Sequence, residues 1–186
     1  HSMTLVVALI LLMMGSAFFS ATETAFSSLN KPRLKNMAAE CNKKAKLAYK
    51  LAENYDELIS STLVGNNVVN IAATTIGTLL FVGWLGSNGA TVSTIFMTVI
   101  TLVFGEITPK NLATKNAEKL ALFYSSSISA ITHILTPVIF IVNQFARFLM
   151  FLLRVDTSKK SSSITEDELR TFVDVSHEEG VIESEE

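Results

Sequence analysis

The sequence predicts an all-α membrane protein: three transmembrane helices, short cytoplasmic helices, a kinked juxtamembrane belt helix and an acidic cytoplasmic helix. Three observations predict it. Residues 4–22, 58–105 and 120–146 carry no formal charge, and a bilayer span needs roughly 20 apolar residues. Charge is segregated beneath a net value of −2: seven Lys or Arg lie between Lys31 and Lys50, and ten of the 17 acidic residues follow Val155. The last apolar run is basic on both flanks and contains Pro137.

His1-Ser2 before Met3 reads as a cloning scar and is set aside. Span one covers about residues 4–27. It differs from a signal peptide in having no basic stretch before it and no small-residue cleavage site leading to a soluble domain. Cytoplasmic loops carry excess Lys and Arg, so the basic segment 31–50 is cytoplasmic and the N-terminus lies outside. Two short helices are expected over residues 30–56. Asn30-Lys31-Pro32 opens the first, with Pro early in the helix. Leu47, Leu51 and Leu58 with Ala48 and Ala52 form a helical stripe in the second. Span two runs outward over about 58–82, and the Gly/Ser/Asn stretch 83–89 turns the chain. Span three returns over about 90–108, followed by Lys110, Lys115 and Lys119 inside. The lone Cys41 excludes an internal disulfide and reads as a bystander.

Residues 120–153 are read as the belt helix. Lysines precede it, while Arg147, Arg154, Lys159 and Lys160 end and follow it, so both flanks are cytoplasmic. Proline removes a helical hydrogen bond, and Pro137 is expected to break or kink the helix. The run is also long enough for a plain fourth span. Residues 3–155 then form the transmembrane domain, and 156–186 a linker with an acidic helix. After Ser161-Ser162-Ser163, Thr165 and Glu168 form a capping box. Leu169, Phe172, Val173 and Val175 give one apolar face, and Gly180 a C-cap. That helix has too little core to fold alone, so a domain boundary is expected here.

Two glutamates at the ends of apolar runs, Glu23 and Glu106, carry the functional signal. A carboxylate near hydrocarbon costs several kcal/mol and is usually paired, water-lined or ion-bound. Ser20, Thr24 and Ser27 share one face of span one, and Glu23 lies nearly on it. Asn66, Asn67 and Asn70 lie two to three turns into span two, with Asn66 and Asn70 on one face. In span three, Pro109 has no N–H to offer the Gly105 carbonyl, beside Glu106. Hydroxyl, amide, carbonyl and carboxylate oxygens are hard ligands and suit Mg²⁺, Ca²⁺ or Na⁺, not zinc or copper. Each element has a blander reading. Hydroxyls back-bond or line helix contacts, Asn glues helices, Gly105 and Pro109 end a helix, and the glutamates face headgroup water or pair with Lys110. His133 in the apolar fourth run reads as a hydrogen-bonded structural residue, and the threonines farther out on spans two and three as packing or subunit contacts.

At these residues the chain resembles the transmembrane domain of the CNNM/CorC family of magnesium transporters. The resemblance rests on Phe19-Ser20-x-x-Glu23-Thr24-Ala25, Gly65-Asn66-x-x-x-Asn70 and Phe104-Gly105-Glu106-Ile107-x-Pro109-Lys110. The tail, from Ile164-Thr165-Glu166-Asp167-Glu168-Leu169 to Glu178-Glu179-Gly180-Val181-Ile182, is similar to the acidic linker before that family's paired CBS domains. The resemblance implies a homodimer in the plasma membrane, multi-pass, with a cytoplasmic C-terminus. It implies a Mg²⁺ site facing the cytoplasm and Na⁺ moving the other way. The implied ligands are Ser20, Ser27, Asn70 and the Gly105 carbonyl, with Glu106 as acidic neighbour and Thr24 and Asn66 beside them. ATP would act only through the CBS pair, which this sequence does not include. The competing reading is a membrane sensor or scaffold that regulates another Mg²⁺ channel. No span carries a His-Glu-x-x-His or a His/Asp/Ser set, so no enzyme is expected, and no nucleic-acid partner.

Overall fold

A computed structural model of the chain describes residues 2–40 and 42–153. Cys41 and the expected acidic helix lie outside the described residues. Every element among the described residues is helical: α1 (Ser2–Ser27), α2 (Lys31–Ala39), α3 (Lys43–Glu53), α4 (Tyr55–Leu85), a 3₁₀ turn (Gly86–Asn88), α5 (Gly89–Ile100), a π-helical segment (Thr101–Ile107), α6 (Thr108–Lys115) and α7 (Ala117–Leu152). The chain divides into two compact units, residues 1–142 and 143–186. The architecture below is that of the first. In the second, the described residues are the last turns of α7, which expose Phe145, Phe148 and Phe151.

Among the described residues three helical stretches are long and apolar enough to cross a membrane: Ser2–Ser27, Tyr55–Lys115 and Ala117–Leu152. The middle stretch folds back on itself at the 3₁₀ turn, where Gly86 takes a left-handed φ of 63° that glycine adopts without strain. Its two legs pack closely. A Cβ on Gly77 would lie 2.6 Å from the Met97 sulfur, and the Thr78 and Ser93 hydroxyls are 3.3 Å apart. The outward side chains are apolar: Met3, Ile10, Leu11, Ile71, Leu79 and Ile95 are each more than half exposed. Such a surface belongs in lipid, where hydrogen bonds must be satisfied within each helix. Most hydroxyls comply by bonding a carbonyl one turn back, as do Thr22, Thr75, Thr94 and Thr98.

Small residues set the helix spacing, as expected where lipid gives no hydrophobic drive for association. Gly15 faces Val69, and the Phe19 ring occupies the space where a Cβ on Gly65 would stand. The residue numbers rise on α1 as they fall on α4, so the two are antiparallel. Met13 meets Thr101, Ser16 meets Gly105 and Glu23 meets Lys110, so α1 and the third leg are parallel.

Beneath the spans, α2 and α3 form a small layer. Asn30 caps α2 by accepting the Arg33 N–H at 3.0 Å, and Asn42 caps α3 by accepting the Lys44 and Ala45 N–H groups. Leu34, Ala45, Ala48, Leu51, Ala52 and Leu58 form its core with Phe26, Ala113, Ala121 and Ile128. Lys31 sits 5.5 Å from the Tyr55 ring centroid.

The helix α7 continues through Pro137 without a break, against the stronger of the two outcomes expected there. One missing N–H removes one bond from a helix of 36 residues, and the turns on either side carry it through. Its first half follows the polar layer. Glu118 pairs with Arg33 of α2 at 3.3 Å, the Tyr124 ring meets Phe18 at 4.9 Å, and Thr132 and His133 share a cavity with Lys50, Asn54 and Glu57. Residues 118 to 132 cover about 21 Å of helix, and both ends touch the layer at the Tyr55 end of α4. This part of α7 runs along that layer instead of away from it.

Candidate cation site

The three legs meet at Ser16. Its hydroxyl lies 3.1 Å from the Asn66 Oδ1 of α4 and 3.4 Å from the Gly105 carbonyl oxygen of the π segment. Ser16 is fully buried. One hydroxyl has one proton, so it satisfies one of these oxygens at a time and leaves the other in want of a donor or a cation.

Proline builds the third wall. Without an N–H, Pro109 cannot close the helical bond to Gly105. The seven residues Thr101–Ile107 ahead of it widen into the π segment, where the Thr108 N–H bonds the Val103 carbonyl five residues back. Such insertions turn carbonyls out of the regular ladder and recur at functional sites. Gly105 permits the approach of α1: a Cβ there would lie 2.7 Å from the Ser16 hydroxyl.

One turn to either side of Ser16 lies a buried oxygen with no partner. The Ser20 hydroxyl is fully buried, bonds no carbonyl of its own helix, and is unpaired, as is the Asn70 Oδ1. An unsatisfied buried polar group costs about 1–3 kcal/mol, so these oxygens are placed to take a ligand or water. Each lies about 6 Å along its helix from the Ser16–Asn66 contact. Because α1 and α4 are antiparallel, the displacements are opposite. The oxygens form a file along the seam: Asn70 toward the Gly86 turn, then Asn66, Ser16 and the Gly105 carbonyl, then Ser20.

The remaining candidates take other positions. Glu23 is partly exposed and pairs with Lys110 of α6 at 3.8 Å, beyond the Ser20 end of the file. Glu106 is half-buried beside Gly105. Pro109 is buried at the start of α6, and Thr24 is half-buried. The Thr24 carbonyl accepts the hydroxyl of Ser27, which is exposed. Asn67 is also exposed, and its amide donates to the Leu63 carbonyl at 2.9 Å, away from the seam. Asn70 borders a shallow hollow of about 500 Å³ with Thr74, Thr75 and Thr78. His133 bonds the Ser129 carbonyl of its own helix at 3.2 Å.

Sequence reasoning missed Ser16 and the π segment. Ser16 had a signal: it stands four residues before Ser20, one turn farther along the same stripe. Among the described residues no three of His, Cys, Asp and Glu gather. A metal on this seam would therefore be held by hydroxyl, amide and carbonyl oxygens, the donor set of hard cations.

The fold and the seam define a multi-pass membrane protein with a polar file enclosed by three helical legs. The chain belongs to the CNNM family: the family's cyclin M transmembrane N-terminal domain matches residues 6–186. It is 38% identical to a UPF0053 protein of Haemophilus influenzae over 91% of this chain and 40% of that protein. It is 37% identical to the UPF0053 inner membrane protein YfjD of Escherichia coli, over 85% of this chain and 37% of that one. With the UPF0053 protein YrkA of Bacillus subtilis it shares 29% identity over 92% of this chain and 43% of that one. The chain thus spans less than half the length of these curated relatives.

Proposed function

We propose that this domain carries Mg²⁺ across the membrane as an exporter coupled to Na⁺ entry, and that it does so as a carrier without enzymatic chemistry. The observation behind this reading is the pair of orphaned buried oxygens, Ser20 Oγ and Asn70 Oδ1, flanking the Ser16–Asn66–Gly105 contact. Mg²⁺ gives up its waters reluctantly and accepts oxygens at about 2.0–2.1 Å. A file about 12 Å from Ser20 to Asn70 exceeds one coordination shell. The ion is passed along it, with Ser20 and the Glu23–Lys110 mouth engaged on the cytoplasmic side and Asn70 toward the outer hollow. Neutral oxygens keep affinity moderate, which suits release. Glu106 and Glu23 supply the charge that neutralises Mg²⁺ or, on the return stroke, Na⁺. Ser27 and Thr24 serve the mouth in this reading.

The domain works as a homodimer in the plasma membrane, N-terminus outside, with ATP acting only through a CBS pair. The test is flux from purified protein in Mg²⁺-loaded proteoliposomes carrying a Na⁺ gradient. Transport by the unmodified protein and its loss in Ser20→Ala and Asn70→Ala are expected. No flux from well-folded unmodified protein favours the sensor or scaffold reading instead.

A further inference from the structure

A second polar cavity lies apart from the three-helix seam, between the end of α3, the first turn of α4 and the middle of α7. It measures about 80 Å³, and over a floor of three leucines its polar lining is Lys50, Asn54, Glu57, Ser129, Thr132 and His133. The Thr132 hydroxyl is its distinguishing group. Thr22, Thr98 and Thr136 each bond the carbonyl four residues back. Thr132 bonds no partner although it is only 5% exposed. A buried hydroxyl without a partner calls for a ligand or ordered water.

Volume and charge narrow the occupant. At roughly 30 Å³ per water, the space holds two or three waters or one compact tetrahedral oxyanion. The lining does not suit a bare cation, since its one carboxylate, Glu57, is opposed by the Lys50 ammonium. The donors instead suit a phosphate: the Lys50 ammonium and the unpaired Thr132 hydroxyl; the His133 ring spends its Nδ1–H on the Ser129 carbonyl at 3.2 Å and offers its Nε2 as an acceptor. Glu57 then matches a cation tethered to that phosphate.

Position supplies the rest. The cavity sits where charged α3 gives way to the uncharged run beginning at Leu58. On α7, Ile134, Val138, Phe140 and Ile141 are exposed just beyond His133. A polar cup edged by an exposed apolar face is the environment of a lipid headgroup and its acyl chains. We infer that this cavity binds the headgroup of phosphatidylethanolamine, with phosphate on Lys50 and Thr132 and the amine toward Glu57 and the acceptor nitrogen of His133. The inference is independent of the transport reading.

Delipidated protein in detergent is titrated with short-chain phosphatidylethanolamine, phosphatidylcholine and phosphatidylglycerol, with bound lipid read by native mass spectrometry. Phosphatidylethanolamine is expected to bind about tenfold more tightly than the others, the worth of one charge-assisted hydrogen bond. Thr132→Val, which keeps the packing volume, and Lys50→Gln are expected to weaken it by about tenfold. Glu57→Gln removes the preference over phosphatidylglycerol while leaving phosphatidylglycerol bound. A lipid-free melting temperature unchanged in Thr132→Val shows that the loss is not unfolding. Equal binding of all three lipids, or binding indifferent to these substitutions, overturns the assignment. Free phosphoethanolamine that competes as well as the lipid overturns the lipid source and makes the ligand a soluble phosphoester.

Discussion

Ser16 is the residue on which the seam turns, because its single proton must serve two acceptors on two different helices. Ser16→Ala removes the donor but leaves a methyl of nearly the same size. The expected outcome is a stability loss of about 1–3 kcal/mol together with at least tenfold lower Mg²⁺ flux in proteoliposomes. If flux matches the unmodified protein at equal reconstitution, Ser16 is only packing. Gly65 makes a complementary case that concerns stability alone. Its hydrogen occupies the only space the Phe19 ring leaves, so Gly65→Ala forces α1 and α4 apart. Overpacking of this kind costs about 1–3 kcal/mol, read as a lower thermal midpoint in detergent. Trimming the ring in a Gly65→Ala, Phe19→Leu double variant is expected to recover part of that loss.

At the scale of elements, the π segment decides how the third leg meets the seam. Pro109→Ala restores an N–H that can bond the Gly105 carbonyl in the ordinary helical register. The carbonyl then has a partner on its own helix and withdraws from Ser16. Flux is expected to fall at least tenfold while the thermal midpoint stays level or rises, since a proline has left a helix. A fall in both would mean that Pro109 only stabilises the fold. Sequence alone carried the first half of this argument: Gly105 four residues before Pro109 implies a carbonyl without its N–H. It did not carry the second half. Whether the chain breaks, kinks or widens into a π turn depends on what packs against it, and that is α1, about 90 residues earlier in the chain. The same limit displaced the expected cluster. The Ser20 and Asn70 oxygens are buried and the Gly105 carbonyl meets Ser16, but periodicity fixes a face and not a level. The level comes from Gly15 against Val69 and Phe19 against Gly65, contacts between segments distant in the sequence. Ser27 and Asn67 show the converse. Both have the right spacing, yet each satisfies itself on its own helix's carbonyl.

At the scale of the whole molecule, α7 separates two topologies that composition cannot. By length and hydropathy it qualifies as a span, while its contacts with α2, α3 and α4 place it along the layer that α2 and α3 form. A crossing helix and a belt helix differ in where their ends emerge. Lys119 and Phe140 are 21 residues apart on α7, which is about 32 Å of helix, the full thickness of a bilayer core. If α7 crosses, the two positions lie on opposite sides of the membrane. If it follows the layer, both lie at one depth near the inner surface. Single cysteines, Lys119→Cys and Phe140→Cys in a Cys41→Ser background, are expected to react with a membrane-impermeant maleimide only from the side that also labels Lys43→Cys. Labelling of Ser87→Cys from the opposite side fixes the outer face of the hairpin turn. Phe140→Cys modified together with Ser87→Cys would make α7 a fourth span, and the Thr132 cavity would then lose its place at the headgroup level.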